Sequence, residues 1–373
     1  MRILLIILFA TVTSWSNPLD ATQTDKQIIS FTFDGQVDKA DSLLNLMISK
    51  NPESPKYYAL KTPFYFYSRY FGPGGPNSND SLKNLILLDG QKAIDIADER
   101  DDLGSKFYAG LASAFISRVH ITRGEYWDAF WAADDAEDFF EDVLDEVPGN
   151  VDAIMAASIR EYFVENNVTG FTYFVAWIFG FSGEKQHALD NLQMVATEGE
   201  FFKTEAQFAL AIINRFQENN LDLALESLKD LNQRFPNNNF IRNQARQADF
   251  IALVNDKGVD FLVAEIDTLR VKYSINNAGT LNNLGYQFIN QNRLEEAIKI
   301  FKTNLNLFPE VANCYDSLAE GYMTNGQNDL AIKYYRIAYE KIDGDSTANE
   351  QFKQTLKEGI ETRLEEMGAT VNI

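Results

Sequence analysis

The chain has 373 residues, of which 45% are hydrophobic and 23% are charged, so its composition is that of a folded globular protein and not of a disordered one. Acidic residues outnumber basic residues by 54 to 33, which gives a formal net charge of -21. Proteins that bind nucleic acids or anionic lipid surfaces present positive charge, so the sequence argues against both kinds of partner.

The first segment has the pattern of an export signal. Arg2 precedes an apolar run from Ile3 to Val12, and the small residues Ser14 and Ser16 flank Trp15. This is the plan of a secretory signal peptide, and the run is shorter than the about 20 apolar residues that span a bilayer. We expect residues 1–16 to be removed and the mature chain, without a membrane span, to be periplasmic or extracellular, in a bacterial envelope. A buried first helix is the alternative.

Residues 17–54 contain the first predicted helix pair. Ala40 is followed by Leu44 four residues later and by Pro52 twelve residues later. Positions i and i+4 share a helix face, so the small residue lets a neighbouring helix approach, and the proline ends the unit. The same spacing recurs at Ala224, Leu228 and Pro236 and at Ala297, Phe301 and Pro309. A fixed spacing of this kind indicates stacked helical repeats.

Residues 55–200 depart from this length and predict a divergent central region. Stretches 104–122 and 125–147 are expected to be long helices around Gly124. Acidic residues of the second stretch are expected to form a solvated face opposite an apolar face made by Trp131, Phe139, Phe140 and Val143. A calcium or cationic-ligand site is the alternative, although neither this acidic block, 134–146, nor the one at 95–102 has the central glycine of an EF-hand loop.

Two aromatic-rich stretches in this region are expected to be core, with a ligand pocket as the alternative. The first comprises Tyr57, Tyr58, Phe64, Phe66, Tyr67, Tyr70 and Phe71; the second comprises Phe171, Tyr173, Phe174, Trp177, Phe179 and Phe181. If the second lies outside the bundle, it is a contact patch for a partner or a membrane.

Catalytic and metal-binding patterns are absent from the sequence. His120 and His187 are far apart, and no close group of His and Cys predicts a zinc site. The glycines of 72–76 and 180–184 match neither a phosphate-binding loop nor a nucleophile elbow. Cys314, the single cysteine, cannot form an internal disulfide and is expected to be a packing residue. We therefore expect no enzyme activity, no cofactor and no metal.

The clearest repeats occupy residues 278–343, after weaker helix pairs over 201–277 that include a turn at Gly258. One copy starts at Ala278 and has packing positions at Leu281, Leu284, Gly285, Phe288, Ala297, Phe301 and Pro309. The next starts 34 residues later at Ala312 and has Tyr315, Leu318, Ala319, Tyr322, Ala331, Tyr335, Ala338 and Asp343. These residues resemble the tetratricopeptide repeat (TPR), with Asn304 in place of a usual small residue.

The resemblance implies an all-α fold, an α-solenoid of antiparallel helix pairs forming a TPR-like superhelix, with a bulkier central bundle. Residues 344–373 are then a capping helix and tail, in which Phe352, Leu356, Ile360 and Leu364 recur at four-residue steps and shield the last repeat.

The resemblance also implies a function and a site. It predicts a non-enzymatic scaffold that binds another protein, of unknown identity, through the concave face. The residues carried over from the family's concave positions are Asn282, Tyr286, Ile289, Asn290, Asn313, Asp316, Glu320, Met323 and Thr324. The row has no Lys or Arg to clamp a terminal carboxylate, so a neutral or basic extended segment or helix is the expected ligand. The alternative function is a carrier of a small apolar or glycan ligand in the aromatic central region.

Overall fold

The computed structural model describes residues 19–71, 80–155, 158, 161 and 185–371. Across these residues it contains seventeen α-helices, one 3₁₀ turn and no strand. None of the helices in this part of the chain is long and apolar enough to cross a membrane. The predicted leader, the two glycine-containing segments and the second aromatic stretch all lie outside the described residues.

The chain divides into two compact units, with the boundary after Gln244. The sequence predicted one continuous row of helix pairs, and no turn residue marks this division because it falls inside a helix. The helices that begin before the boundary are α1 Gln23–Phe33, α2 Val37–Lys50, α3 Pro55–Phe71, α4 Asp80–Arg100, α5 Leu103–Arg123, α6 Tyr126–Glu146, α7 Lys185–Glu198, α8 Lys203–Phe216, α9 Leu221–Arg234 and α10 Asn239–Lys257.

The long central helices match the prediction within two residues at each end. Gly124 joins α5 to α6 with a left-handed φ of 75°, a conformation that glycine adopts without steric cost. The side chain of Asp102 starts α5 by accepting the backbone N–H of Ser105 at 2.9 Å.

Helix α3 contains a proline, which removes one backbone donor from the helix. The missing donor at Pro63 would leave the carbonyl of Ala59 without its helical partner. The hydroxyl of Thr62 donates to that carbonyl at 2.7 Å instead. The helix therefore continues through the proline with its freed acceptor satisfied.

The core of the first unit is built from aromatic side chains, as expected. Tyr57, Phe64 and Tyr67 of α3 are buried, and Phe107 and Phe115 of α5 have no exposed surface. In α6, however, the structure differs from the prediction: Phe140 and Val143 are buried, whereas 57% of the Trp131 side chain is exposed.

The N-terminal helix pair packs back onto the end of its own unit. Buried Asp34 accepts the backbone N–H of Asn237 at 2.9 Å and its side-chain amide at 2.8 Å, and Asn238 donates to the carbonyl of Phe33 at 2.6 Å. Near the start of α1, the backbone N–H of Ala21 donates to Glu200 at 2.6 Å. These contacts join residues about 200 positions apart, and the repeat pattern did not predict them.

The second unit contains α11 Val259–Ala264, α12 Ile266–Tyr273, α13 Gly279–Asn290, α14 Leu294–Leu307, α15 Ala312–Thr324, α16 Asn328–Ile342 and α17 Glu350–Glu366. The predicted turn at Gly258 is present with a φ of 86°, but the helix that follows it breaks into α11 and α12 at Glu265.

Most repeat positions of α13 to α16 are buried as the sequence predicted, although Tyr315 is only partly buried. Leu281, Leu284, Gly285 and Phe288 of α13 are inside, and Ala297, Phe301, Ala331 and Tyr335 have no exposed surface. Successive helices pack against one another, and α13 also contacts α15, so the first helices of the two repeats lie side by side. This is the antiparallel pairing of an α-solenoid.

Candidate functional site

The candidate site is the row of side chains on α13 and α15 that the sequence assigned to the concave face. The inner faces of both helices are made of buried residues, such as Leu281 and Leu284 of α13 and Leu318 of α15. Helix α13 packs against α14, and α15 packs against α14 and α16. The side chains between those buried positions are left at the surface, and they differ widely in exposure.

The structure places the nine predicted residues at three depths. Asn290 and Thr324 are exposed at the C-terminal ends of their helices. Six are partly buried, namely Asn282, Tyr286, Ile289, Asn313, Glu320 and Met323, and Asp316 is 4% exposed. The accessible row is therefore shorter than predicted.

Tyr286 links the two helices. Its hydroxyl donates to Glu320 at 2.9 Å and lies 3.3 Å from the hydroxyl of Ser317. Its ring packs edge-on against Phe301, with centroids 5.3 Å apart. Burial, followed by the charges of Glu320 and Asp316, raises the pKa of the phenol well above its usual range, so Tyr286 remains a neutral donor.

Asp316 lies at the bottom of the row. Burial raises the pKa of its carboxyl to about 7, while the positive charge of Arg363 opposes the shift and the negative charge of Glu320 adds to it. Its Oδ1 atom has no hydrogen-bond partner among the described residues. Keeping this carboxylate ionised costs free energy, because burial removes it from water and one of its oxygens has no hydrogen bond.

The row has a cation that the sequence analysis missed. Arg363 of α17 lies 3.9 Å from Oδ1 of Asp316 and 3.6 Å from Oε2 of Glu320. Its guanidinium is also 5.9 Å from the ring centroid of Tyr335. The prediction that Lys and Arg are absent from this face was thus wrong. It considered only the repeat helices, and the cation comes from the capping helix.

The helical pattern of α17 contained a signal for this residue. Leu356, Ile360 and Leu364 are buried, and Arg363 follows Leu356 by seven positions and Ile360 by three, which places it on the same face. The sequence predicted that Phe352 would continue this buried stripe. The structure differs, since Phe352 is 43% exposed.

Asn304 replaces a small packing residue without disturbing the pair. The side chain is fully buried, and its amide donates to the carbonyl of Ala278 at 3.0 Å. This bond connects α14 to the start of its partner helix α13. Cys314 is also buried, and burial raises the pKa of its thiol to about 12, which is consistent with a packing residue and not with a nucleophile.

A second group of polar side chains lies where α5 meets α6. His120, Glu125 and Asp128 bring their ligand-type atoms within 4.8 Å of one another, and Nδ1 of His120 is 2.6 Å from Oε2 of Glu125. Sequence spacing did not predict a metal site here, because the turn at Gly124 folds the histidine back onto the two acids. One imidazole and two carboxylates are donors that a divalent transition metal accepts.

Comparisons with known proteins find weak similarity to solved structures. No family model matches the chain, and no curated protein matches it. Among solved structures, a chain of the APC/C hetero-tetramer Cut9–Hcn1 aligns over 87% of this chain and 52% of its own length, with 14% identity and a TM-score of 0.39. This chain therefore spans about half the length of that structure.

Two other solved structures resemble the chain less closely by TM-score. The MamA protein aligns over 64% of this chain and 95% of its own, with 16% identity and a TM-score of 0.27. The P58(IPK) TPR domain aligns over 92% and 98%, with 16% identity and a TM-score of 0.23. None of these values transfers a partner or an activity. The described residues themselves, with antiparallel pairs over α13 to α16 and buried repeat positions, make this chain similar to tetratricopeptide-repeat proteins.

Proposed function

We propose that this chain is a non-enzymatic scaffold of the cell envelope, which binds a peptide segment or helix of another protein along the α13–α15 row. The observation that supports the proposal is the row itself. It combines one exposed amide, Asn290, and the partly buried amides of Asn282 and Asn313 with partly buried apolar side chains on two adjacent helices. Asparagine side chains donate and accept hydrogen bonds along a peptide backbone, and Ile289 and Met323 supply adaptable apolar contact.

The charge of the row favours a neutral or basic ligand. The guanidinium of Arg363 lies beside two acidic side chains, Asp316 and Glu320. The positive charge of Arg363 is therefore balanced, and the row offers no net positive charge to an acidic ligand. A peptide whose main feature is a terminal carboxylate would meet the acidic side chains of Asp316 and Glu320 close to Arg363. We infer that an internal segment is bound in preference to a chain terminus.

The alternative function, a carrier for a small ligand, gains no support from the described aromatic residues. Around Phe33, Leu111 and Phe202 the first unit has a partly open pocket of about 20 Å³, which has room for about one water molecule. The five described aromatic side chains of the first stretch are buried or partly buried in the core.

A peptide selection tests the proposed site. Peptides selected from a random display library against the full chain should bind the wild-type protein. They should lose about ten-fold in affinity for Asn290→Ala combined with Asn313→Ala, because both amides line the row. Asn306→Ala, an exposed asparagine on α14, is the matched control and should leave affinity unchanged. Equal binding by the double variant and the wild type would reject the row as the site.

Export is tested separately, on the protein from its native host. N-terminal sequencing should find a chain that begins at Asn17, recovered from the envelope or the medium. A chain that keeps Met1 and fractionates with the cytoplasm would contradict this part of the proposal and leave the binding site unaffected.

A further inference from the structure

The exposed face of α6 combines two tryptophans with several carboxylates. Trp127 is 66% exposed and Trp131 is 57% exposed. Along the helix, Asp135 follows Trp131 by four residues and Asp138 follows by three more, so all four side chains lie on one stripe. We call Trp127, Trp131, Asp134, Asp135 and Asp138 the α6 face.

The two indoles are held by a shared neighbour. The ring of Phe130 lies edge-on to both, with centroids 6.4 Å from Trp127 and 5.1 Å from Trp131. Phe130 itself is only partly exposed. The tryptophans are therefore positioned at the surface by a ring beneath them, and binding would cost little further ordering.

Among the residues that the structure describes, the carboxylates of the face have no cation paired with them. No ion pair to Asp134, Asp135 or Asp138 is found among the described residues, whereas Asp142, further along α6, pairs with Lys106 at 2.8 Å. These acids also repel one another. Burial raises the pKa of the Asp135 carboxyl, and the negative charges of Asp134, Asp138 and Asp98 raise it further.

This arrangement lowers the stability of the helix that carries it. Residues 126–146 contain no Lys or Arg, and they contain nine acids: Asp128, Asp134, Asp135, Glu137, Asp138, Glu141, Asp142, Asp145 and Glu146. Acids near the C-terminus of a helix oppose its dipole, and like charges at i and i+4 repel each other. Local choices that conflict with stability are expected where a surface has another role.

We propose that the α6 face binds a basic amphipathic helix of a protein partner, with the indoles receiving apolar and cationic side chains and the aspartates pairing with Lys or Arg. Indole faces attract cations, and the neighbouring carboxylates attract the same groups. A second copy of the chain would present the same acidic stripe and be repelled. Nucleic acids and anionic membranes would be repelled for the same reason.

The probe is a fluorescein-labelled 18-residue helical peptide with Leu on one face and Lys on the other, and binding is followed by anisotropy in 0.15 M NaCl with EDTA. EDTA removes any contribution of a metal at His120, Glu125 and Asp128. The wild-type full chain should bind this peptide. Trp127→Ala combined with Trp131→Ala should weaken binding about ten-fold or more. Asp135→Asn combined with Asp138→Asn should weaken it several-fold and flatten its dependence on salt.

Matched controls separate the face from the acidity of the whole chain. Phe216→Ala with Val271→Ala removes exposed apolar side chains elsewhere, and Asp222→Asn with Asp329→Asn removes two other exposed acids. Both should bind like the wild type, and the same peptide with Glu in place of Lys should not bind. The proposal is overturned if the peptide fails to bind, if the controls weaken binding as much as the α6 variants, or if sedimentation shows that Trp127 and Trp131 mediate self-association instead.

Discussion

Gly285 shows how closely the repeat helices approach one another. A Cβ atom at this position would lie 2.3 Å from Cε1 of Phe301, and the same ring lies 3.0 Å from the position of a Cβ at Gly321. Phe301 is fully buried between the two glycines, so it cannot move aside from one without meeting the other.

We expect Gly285→Ala to lower the free energy of unfolding by about 1–3 kcal/mol, because the added methyl overpacks the interface between α13 and α14. Gly359→Ala is the control. Its Cβ would meet only the end of the flexible Arg363 side chain, and alanine favours the helix. Urea unfolding followed by far-UV circular dichroism measures both. A loss for Gly359→Ala as large as that for Gly285→Ala would contradict the steric explanation.

Asp316 predicts a dependence of stability on pH. Its pKa in the folded chain is about 7, above the ordinary value of 3.8, so the folded state binds more protons than the unfolded state between these values. Stability contributed by this group is complete below about pH 4 and is lost as the pH rises towards 7. The groups that face it are Glu320 on its own helix, Tyr286 on α13, Tyr335 on α16 and Arg363 on α17.

Asp316→Asn removes this titration while keeping the shape of the side chain. The difference in unfolding free energy between the variant and the wild type should grow in favour of the variant from pH 4 to pH 8. The growth should be roughly 1–4 kcal/mol, since one pKa unit corresponds to about 1.4 kcal/mol. Urea midpoints at five pH values would show it, and a constant difference across the range would refute the assignment.

At the scale of a helix, α17 covers the last repeat with three of the four residues that the sequence proposed. Ile360 has no exposed surface, whereas Phe352 at the start of the helix is 43% exposed. We expect Ile360→Ala to cost about 2–5 kcal/mol, because it leaves a cavity against α16. Phe352→Ala should cost less than about 1 kcal/mol. Thermal unfolding of the two variants compares them, and similar losses would mean that α17 does not cap the repeat through this face.

The elements differ in how far sequence reasoning could predict them. The buried positions of α13 to α16 follow from a local period, since residues three and four apart share a helix face. The prediction that Trp131 lies on the apolar face of α6 was wrong, because the acidic and apolar faces of this helix overlap in the sequence. Which side of α6 is buried depends on how it packs against α5, which the local pattern does not encode. The contacts of Asp34 with Asn237 and of Arg363 with Asp316 join distant segments. No local pattern encodes such contacts.

At the scale of the whole molecule, the net charge of -21 sets the response to salt. Several ion pairs of the described residues join side chains that are half exposed, such as Lys26 with Glu200, and such pairs add little stability. Repulsion among the excess acids should therefore dominate. We expect the thermal midpoint to rise as NaCl increases from 10 to 300 mM, because salt screens that repulsion. Differential scanning fluorimetry measures the midpoint, and a fall with added salt would show that attractive pairs outweigh repulsion.

The burial of Cys314 makes the folded chain a reporter of its own opening. The thiol is 1% exposed, and it is the single cysteine of the sequence. A thiol-reactive dye can then modify the protein only while α15 has separated from its neighbours, so the labelling rate measures how often that separation occurs. The natural chain thus permits a site-specific measurement of breathing in the second unit without any engineered probe.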